Sequence, residues 1–391
     1  MLPRALWARQ RLLRPGDRAS CPDNLEKGYG TFAVSHNDRV NSRAEDVARV
    51  SSRSLVEAWM SRVDDETVLS DLTIPGTHDS AAFTYAWPFV QTQQMDILQQ
   101  LNAGIRYFDL RCGIRDDIVE MVHGRAFLGL TLSIVLDTMY LWLMAHKSEG
   151  LIVQIKQDRS PEQSTVHFAQ AIWRCLAKNP ERWRTANTTP CLGELRGRIQ
   201  LLRRFAGPAL HAFGIDVTQW QDNPSRPFTI FTWHEVRITI QDHYSFPNPE
   251  ALPSLVSKKG GDVAELLDRA ATDPDAGHWY MNFASAYEFN FYYQLTPREI
   301  ALGGWSLFTW EPGMNVRLRN YVHDLKRKRR LGIIAMDFPD SGAEDLIEVL
   351  VRTNLGPKKK PRLCWMLMVE TIALLLLACL VTTGSLLYLG R

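Results

Sequence analysis

Short apolar runs rich in β-branched and aromatic residues recur through the middle of this 391-residue chain, and helix-like stretches separate them. The runs are 72–75, 104–112, 151–156, 199–205, 228–232 or 236–242, 279–285 and 332–338. The helix-like stretches include 92–102, 130–147, 162–178, 261–271 and 296–303. About seven or eight such repeats are typical of an α/β protein with a mainly parallel sheet. In the absence of a glycine-rich nucleotide loop, the series favours a (β/α)8 barrel, with an open doubly wound sheet as the alternative.

Polar side chains lie where these runs end. They are His78, Asp79, Asp109, Arg111, Lys156, Asp158, Arg203, Arg204, Asp242, Tyr244, Asn282 and Asp337. In a parallel barrel, all strand ends of this kind open onto the face where active sites are built. We therefore expect these side chains to share a site, with turn residues and helix caps as the competing interpretation. Pro75-Gly76 is expected to turn the chain so that His78 faces the barrel mouth.

The cations in this set indicate an anionic ligand. Arg111, Lys156 and Arg204 would bind an anion, and a planar guanidinium can hold two phosphate oxygens at once. A pair of carboxylates alone would instead suggest glycoside hydrolysis. Because Arg111 could hold the phosphate charge, the pattern does not demand a metal ion.

Two histidines in the set could carry proton transfer. His78 can act as a general base, and His123, in the stretch VHGRAF, is the best candidate for a general acid. Asp337 could orient one imidazole, as a carboxylate does in a catalytic triad. The sequence contains no GxSxG nucleophile elbow. Base, acid and phosphate clamp together predict phosphodiester cleavage.

Eight sequence blocks carry a resemblance to a known family. The blocks are LTIPGTHDSAAF, AGIRYFDLRCG, VHG, LIVQIKQD, RGRIQLLRRF, TIQDHYSF, WYMNFAS and LGIIAMDFPD. In this order, from residue 72 to about residue 351, they resemble the phosphatidylinositol-specific phospholipase C of bacteria and its fungal relatives. The resemblance implies a distorted TIM-type eight-stranded α/β barrel. It also implies cleavage of phosphatidylinositol to diacylglycerol and a cyclic inositol phosphate.

The resemblance assigns catalytic roles to five residues by matching position. His78 would take the proton from the inositol 2-hydroxyl, whose oxygen attacks the phosphorus of the same molecule, and Asp337 would hold His78. His123 would protonate the diacylglycerol oxygen, with Asp79 assisting. Arg111 would stabilise the pentacoordinate phosphorane.

The resemblance also implies a substrate-binding set. Asp109, Lys156, Arg204 and Asp242 would bind the inositol hydroxyls or the phosphate, and Tyr244 would pack on the inositol ring. The HDS and DLR stretches follow the calcium-independent bacterial branch, so no metal or other cofactor is expected. The family's His-His-Gly reads Val122-His123-Gly124 here, and its lysine doublet reads Lys156-Gln157. These departures bear on substrate preference.

The C-terminus is strongly apolar. Residues 371–390 are 20 residues without a charge, long enough at ~1.5 Å each for the ~30 Å hydrocarbon core of a bilayer. This predicts a transmembrane helix over 363–390, after a basic linker at 355–362 and a catalytic barrel at 54–354. Because the basic KKKPR stretch precedes the apolar segment, the positive-inside rule predicts a single-pass membrane anchor with a cytosolic catalytic domain. A buried core helix and a removed glycolipid-anchor signal are the alternatives.

The first 53 residues are basic and lack a secretory apolar core, which indicates a disordered leader. A mitochondrial presequence is the alternative. The formal net charge of +2 gives no argument for a nucleic-acid partner. Two other functions stay open: a related phosphodiesterase acting on another glycerophospho- or glycosyl-inositol substrate, and an inactive lipid-binding barrel.

Overall fold

The computed structural model describes residues 56–207, 213–232, 236–248, 250–325 and 330–355. The strands are β1 (Thr73–Thr77), β2 (Tyr107–Arg115), β3 (Ile118–His123), β4 (Ala126–Thr131), β5 (Leu151–Gln157), β6 (Trp183–Arg184), β7 (Ile199–Arg204), β8 (Ile215–Asp216), β9 (Phe228–Phe231), β10 (Arg237–Gln241), β11 (Trp279–Phe283), β12 (Glu288–Phe289), β13 (Gln294–Leu295), β14 (Gly303–Ser306), β15 (Thr309–Pro312) and β16 (Gly332–Met336). The α-helices are Ile97–Asn102, Leu132–Ala145, Phe168–Leu176, Leu192–Leu195, Leu252–Thr272, Pro297–Leu302, Met314–Asp324 and Leu346–Arg352.

The main sheet winds in one direction. Its parallel strands follow the order β7-β5-β2-β1-β16-β11-β10, so the first strand pairs with both the second and the last. An open doubly wound sheet would instead reverse its strand order at a switch point. β6 and β8 both pair with the outer edge of β7, and β9 pairs antiparallel with β10. Among the described strands, no pairing joins β9 to β6 or β8, so the barrel has an open seam there. The predicted barrel is present in this distorted form.

Strand register sets the positions of the side chains at the barrel mouth. β1 pairs with β16 from Thr73–Gly332 to Thr77–Met336, so His78 and Asp337 leave adjacent strands at the same level. Arg111 pairs with Lys156, and Lys156 pairs with Arg204. Since directly paired residues point to the same face of a sheet, these three cations form one row across β2, β5 and β7.

Pro75 and Gly76 lie inside β1, so the prediction that they turn the chain is wrong. The Pro75 carbonyl accepts the Arg106 amide, and β1 pairs with β2 only from Gly76 onward, so the missing proline N–H interrupts no pairing. A Cβ atom on Gly76 would lie 2.6 Å from Cδ1 of the Tyr107 ring. Glycine is therefore required by a close approach between strands.

The core fills the barrel and the space between the sheet and its helices. The parallel strands are buried on both faces, which explains their nearly continuous apolar sequences. Helix Ile97–Asn102 starts at a capping box in which Asp96 and Gln99 satisfy each other's backbone amides. This cap fixes where the helix begins.

The prediction of a transmembrane helix is wrong for the part of the chain that the structure describes. No helix in those ranges is both long enough and apolar enough to cross a bilayer. The predicted segment, 363–390, lies outside the described residues, as do the leader at 1–53 and most of the basic linker. The described ranges form the barrel, and they give no support to the prediction of a single-pass anchor with a cytosolic domain.

Candidate active site

A cavity of about 730 Å³ opens at the carboxyl ends of the parallel strands. Eight of the ten predicted site residues line it: His78, Arg111, His123, Lys156, Arg204, Asp242, Tyr244 and Asp337. The remaining two, Asp79 and Asp109, lie directly behind Arg111 and are buried. The structure thus brings together the ten residues given catalytic or binding roles, whereas Arg203 and Asn282, also expected there, do not line the cavity.

His78 follows β1 and is held from two sides. Its Nδ1 lies 2.8 Å from Oδ1 of Asp337, and its Nε2 lies 2.8 Å from Nη2 of Arg111. A guanidinium can only donate, so Nε2 must be the acceptor and the ring proton sits on Nδ1, donated to Asp337. This tautomer directs the basic lone pair of His78 at the cavity.

Burial keeps the imidazole of His78 neutral. Burial lowers the pKa of His78 well below its usual value, and the positive charge of Arg111 lowers it further. Burial also raises the pKa of Asp337 well above its usual value, helped by the nearby carboxylate of Asp79. A neutral imidazole at neutral pH is the state that a general base requires.

Arg111 connects the base to two carboxylates. Its Nε lies 3.0 Å from Oδ1 of Asp79 and 3.3 Å from Oδ2 of Asp109. Burial works to lower the pKa of Arg111, but these two carboxylates outweigh it and raise that pKa well above its usual value. The guanidinium therefore carries a permanent positive charge at the floor of the cavity.

Asp109 supports Arg111 from behind. It is completely buried, and its Oδ1 accepts a 2.7 Å hydrogen bond from Nε2 of Gln154. Its Oδ2 contacts Arg111 and the Asp79 amide, both at 3.3 Å. With both oxygens engaged and no exposure to the cavity, Asp109 is placed to position Arg111, whereas the sequence suggested direct substrate binding.

Asp79 joins the two histidines. Its Oδ2 lies 3.3 Å from Nε2 of His78 and 3.3 Å from Nε2 of His123. The backbone at Asp79 has φ +42°, a left-handed conformation that Asp and Asn tolerate better than most residues. Burial raises the pKa of Asp79 to about 6, against the opposing pull of Arg111 and His123.

His123 ends β3, across the cavity from His78. Its Nδ1 lies 2.6 Å from the Val90 carbonyl, which fixes a proton on Nδ1 and turns Nε2 towards Asp79. The two imidazole centroids are 6.5 Å apart and their planes are nearly perpendicular.

The rest of the cation row lines the cavity beside Arg111. Nζ of Lys156 lies 2.5 Å from Oδ1 of Asp158, whose Oδ2 accepts the Gly124 amide. The Arg204 guanidinium stacks 3.9 Å from the Trp220 ring centroid, and its Nη1 finds no partner among the described residues. Burial lowers the pKa of both cations. An unpartnered buried N–H is an open donor for an oxygen-rich ligand.

The wall opposite the cation row is acidic and aromatic. Oδ2 of Asp242 accepts a 2.9 Å hydrogen bond from Nε1 of Trp220, and burial raises the pKa of Asp242. The Tyr244 ring stacks on Tyr287, with centroids 5.9 Å apart, and its hydroxyl donates to Asp222. Carboxylates and flat rings are suited to polyhydroxylated rings, which offer many donors and apolar faces.

Asp158 was predicted to share the site but was given no role, and it lines the cavity beside Lys156. Three other residues of the site were absent from the predicted set. Asp222, Tyr287 and Trp220 lie in loops between strands, where no periodic pattern marks them. Only the folded chain brings them to the cavity.

Lys259 was also missed. It lies in the middle of helix Leu252–Thr272 and is completely buried, with Nζ donating to Oε1 of Gln241 at 2.9 Å and to the His243 carbonyl at 2.7 Å. Burial lowers the pKa of Lys259 to about 8, although Asp242 and Asp337 act to raise it. It places a positive charge beneath the carboxylates of the cavity.

Comparison with known proteins bears on this geometry. Residues 72–205 match the family model for the phosphatidylinositol-specific phospholipase C X domain. A Staphylococcus aureus (strain Newman) relative named 1-phosphatidylinositol phosphodiesterase is 30% identical over 317 residues, covering 76% of this chain and 94% of the relative. The chain belongs to the phosphatidylinositol-specific phospholipase C family. The predicted resemblance is confirmed.

Other members of the phospholipase C family agree. A Listeria monocytogenes relative with the same name is 28% identical over 313 residues, covering 76% of this chain and 84% of the relative. A structure of a mutant S. aureus phosphatidylinositol-specific phospholipase C superposes with a TM-score of 0.66 at 25% identity, covering 78% of this chain and 99% of that one. The Listeria enzyme superposes with a TM-score of 0.55 at 26% identity, covering 76% and 98%. The barrel described above is thus the fold of this phospholipase C family.

Proposed function

We propose that this protein cleaves phosphatidylinositol to diacylglycerol and a cyclic inositol phosphate. The names of its relatives support the substrate. The observation that carries the reaction is the placement of two histidine Nε2 atoms, each 3.3 Å from the same oxygen of Asp79, around the Arg111 guanidinium. Base, acid and phosphate clamp converge on one point of the cavity.

In the first half of the reaction, Nε2 of His78 takes the proton of the inositol 2-hydroxyl. The freed oxygen forms a bond to phosphorus within the same molecule, which gains from the proximity of the two groups. The imidazolium that results keeps its Nδ1–H on Asp337, so its positive charge develops against a carboxyl group. Arg111 must leave Nε2 of His78 when the hydroxyl arrives, and its Nη2 is then available to the phosphate.

In the second half, the bond from phosphorus to the glycerol oxygen breaks. His123 delivers a proton from Nε2 to that oxygen, and diacylglycerol leaves as a neutral alcohol. The Val90 carbonyl holds the His123 ring in the required orientation, and Oδ2 of Asp79 lies 3.3 Å from its Nε2. Arg111 stabilises the extra negative charge on the phosphorane, a contribution that is typically worth ~10²–10³ in rate for one donor.

The remaining residues of the cavity would hold the inositol ring. Lys156 and Arg204 offer donors, Asp158 and Asp242 offer acceptors, and Tyr244 offers a flat face. All of them line the cavity.

We propose that catalysis needs no metal ion. The Arg111 guanidinium occupies the space between Asp79 and Asp109, where it neutralises both carboxylates and supplies positive charge to the phosphate. The test is to incubate the purified protein with labelled phosphatidylinositol in excess chelator. The cyclic phosphate should form at an undiminished rate, and His78→Ala should slow its formation by ~10²–10⁴.

The same experiment separates the two alternatives. Loss of activity in chelator, with recovery on added metal, would favour a related phosphodiesterase acting on another glycerophospho- or glycosyl-inositol substrate. Failure to release any inositol phosphate, with phosphatidylinositol still bound, would favour an inactive lipid-binding barrel.

A further inference from the structure

Helix Leu252–Thr272 carries a positive charge into the protein interior. Its buried residues are all apolar except Lys259, whose side chain is completely buried. Nζ of Lys259 donates to two neutral oxygens, and such acceptors compensate less than a carboxylate would for the water that a buried ammonium loses. Burial accordingly lowers the pKa of Lys259 to about 8, so the charge costs stability at neutral pH. A lysine retained in spite of this cost points to a role beyond packing.

The two acceptors of Lys259 lie on either side of a residue of the cavity. Nζ donates to Oε1 of Gln241 at 2.9 Å and to the His243 carbonyl at 2.7 Å. Gln241 is the last residue of β10, and the residue between the two acceptors is Asp242, which lines the cavity. The His243 amide also donates to Oε1 of Gln241, at 2.8 Å. One ammonium therefore fixes the chain where it leaves β10 and presents Asp242.

The Gln241 side chain is held from its other side by the neighbouring strand. Its Nε2 donates to Oδ1 of Asn282 at 2.8 Å and to the Phe283 carbonyl at 2.9 Å. Because its Oε1 accepts two further hydrogen bonds, the donors and acceptors of this amide are all used. Nδ2 of Asn282 donates to the Val263 carbonyl, one turn after Lys259 on the same helix. The helix, β10 and β11 are thus joined by a closed ring of hydrogen bonds.

His243 is attached to the same helix by its side chain. Its Nδ1 lies 2.8 Å from Oδ2 of Asp262, three residues after Lys259. Its ring also packs on Phe246, with centroids 4.2 Å apart. Since Lys259 binds the His243 carbonyl, the helix holds this residue through backbone and side chain together. The chain is therefore fixed after Asp242 as well as before it.

The Asp242 carboxylate is left with one oxygen for a ligand. Its Oδ2 accepts a 2.9 Å hydrogen bond from Nε1 of Trp220, and its Oδ1 has no hydrogen-bond partner within the described ranges. Burial raises the pKa of Asp242, and the positive charges of Arg204 and Lys259 oppose this rise. Lys259 thus supports both the position and the negative charge of an acceptor that faces the cavity.

We propose that Lys259 is a positioning residue for substrate binding, which acts through Asp242 without touching the substrate. By tying the residues on both sides of Asp242 to one helix, Lys259 holds the carboxylate where it can accept a hydroxyl of the inositol ring. A contact that served only to pack the helix on the sheet would need no charge, as the other buried residues of this helix show. The inference rests on the proposed function, because it takes the inositol ring as the ligand of Asp242.

The test compares wild type with Lys259→Met, which keeps a flexible stem of similar length but neither donates nor carries charge. The matched control is Arg330→Met. Arg330 is also a buried cation, and it donates to the Ala270 carbonyl near the end of the same helix, but it precedes β16 at the opposite end of the barrel from the cavity. For each full-length form, kcat and KM are measured with phosphatidylinositol, and the Kd of myo-inositol 1-phosphate is measured by calorimetry. Thermal unfolding confirms that each form is folded at the assay temperature.

Lys259→Met should raise KM and the Kd of myo-inositol 1-phosphate by about tenfold to a hundredfold, the usual range for a hydrogen bond to a charged group. Its kcat should stay within about threefold of wild type, because the ring contact is the same in the ground state and the transition state. Arg330→Met should keep the wild-type KM even where its unfolding midpoint falls. In Asp242→Ala, which has no carboxylate to position, adding Lys259→Met should raise KM no further.

A wild-type KM in Lys259→Met would overturn the inference, as would equal increases in KM for Lys259→Met and Arg330→Met. Independent effects of Lys259→Met and Asp242→Ala on KM would also overturn it. If Lys259→Met does not fold, Asn282→Ala frees Gln241 from the other side and should raise KM in the same way; an unchanged KM there would count against the inference. A wild type that neither cleaves phosphatidylinositol nor binds myo-inositol 1-phosphate would overturn the proposed function itself, and this inference with it.

Discussion

The Arg111 guanidinium occupies the lone pair of the catalytic base: its Nη2 lies 2.8 Å from Nε2 of His78. The arginine thus adds to burial in keeping the base neutral, and it orients the imidazole before any substrate arrives. Substrate binding has to exchange this contact for two others, hydroxyl to His78 and phosphate to Arg111. When substrate displaces the contact between Arg111 and His78, the lone pair of His78 becomes free for the hydroxyl and the guanidinium becomes free for the phosphate.

Arg111→Lys should lower kcat by ~10²–10³. A lysine ammonium keeps the charge but lacks the planar, fixed set of donors with which arginine can contact His78, Asp79 and the phosphate. The pKa of His78, followed by NMR, should also move up towards its usual value as the close donor is lost. An unchanged kcat would contradict the role given to Arg111.

His123→Ala and His78→Ala should respond differently to the leaving group. Each should slow cleavage of phosphatidylinositol by ~10²–10⁴. With an inositol phosphodiester of nitrophenol, whose anion leaves without protonation, His123→Ala should recover most activity and His78→Ala should recover none. If the two variants recover activity to the same extent on this substrate, the assignment of His123 as the acid and His78 as the base is wrong.

Asp79→Asn should be inactive or nearly so, yet more stable than wild type at pH 7. The pKa of Asp79 is about 6 in the fold and near 3.8 when unfolded, so the folded state holds its proton more tightly between these values. Stability from this group is complete below pH ~4, declines as pH rises through 6, and is lost above it. Removing the ionisation should raise the free energy of unfolding by about 1–3 kcal/mol, measured by urea denaturation.

Asp158→Asn is the matched control for that measurement. Burial acts to raise the pKa of Asp158, but Arg111 and Lys156 outweigh it and hold that pKa below its usual value. The sign is therefore opposite, and Asp158→Asn should destabilise the protein at pH 7. If both substitutions change the free energy of unfolding in the same direction, the pKa values of Asp79 and Asp158 are not shifted in opposite directions.

Lys259→Met should remove a pH dependence of the free energy of unfolding that wild type shows at alkaline pH. The pKa of Lys259 is about 8 in the fold and near 10.5 when unfolded, so the unfolded chain binds more protons between these values. This group makes wild-type stability rise as pH increases from 8 to 10.5. The free energy of unfolding of wild type minus that of Lys259→Met should increase as the pH rises across that range. A constant difference would mean that Lys259 titrates normally.

The sequence was most informative where chemistry and periodicity coincide. His78, Arg111 and Asp337 follow apolar runs of strand character, and parallel strands bring such positions to one edge, so their convergence could be predicted. His123 ends β3, which pairs antiparallel with β2, and its place in the site was predicted from its chemistry and from the family resemblance. Asp109 lies two residues before Arg111 on β2 and shares its face, but it is one layer deeper in the barrel, where Gln154 meets it. Since the alternation of a strand puts both residues on one face, the sequence does not show which of them reaches the cavity.

Other features depend on contacts that a linear pattern does not contain. Gly76 is explained by Tyr107 on the neighbouring strand, and its place beside Pro75 made it look like part of a turn. The apolar C-terminal segment predicted a transmembrane helix from composition alone, and the described fold contains no such helix. Asp222 and Tyr287 come from irregular loops, where position follows from the whole fold.

The open seam divides the mouth into two halves of unequal rigidity. His78 and Asp337 follow β1 and β16, in the middle of the sheet, whereas Arg204 and Asp242 follow β7 and β10, whose outer neighbours β8 and β9 border the seam. Backbone amides with fewer neighbouring strands open more readily, so hydrogen exchange should be faster at β8 and β9 than at β1 and β16. The general base is thus built on the centre of the sheet, and two of the residues that would hold the inositol ring lie nearer the seam. Related headgroups of different bulk can then be admitted without disturbing the distance between base and phosphorus.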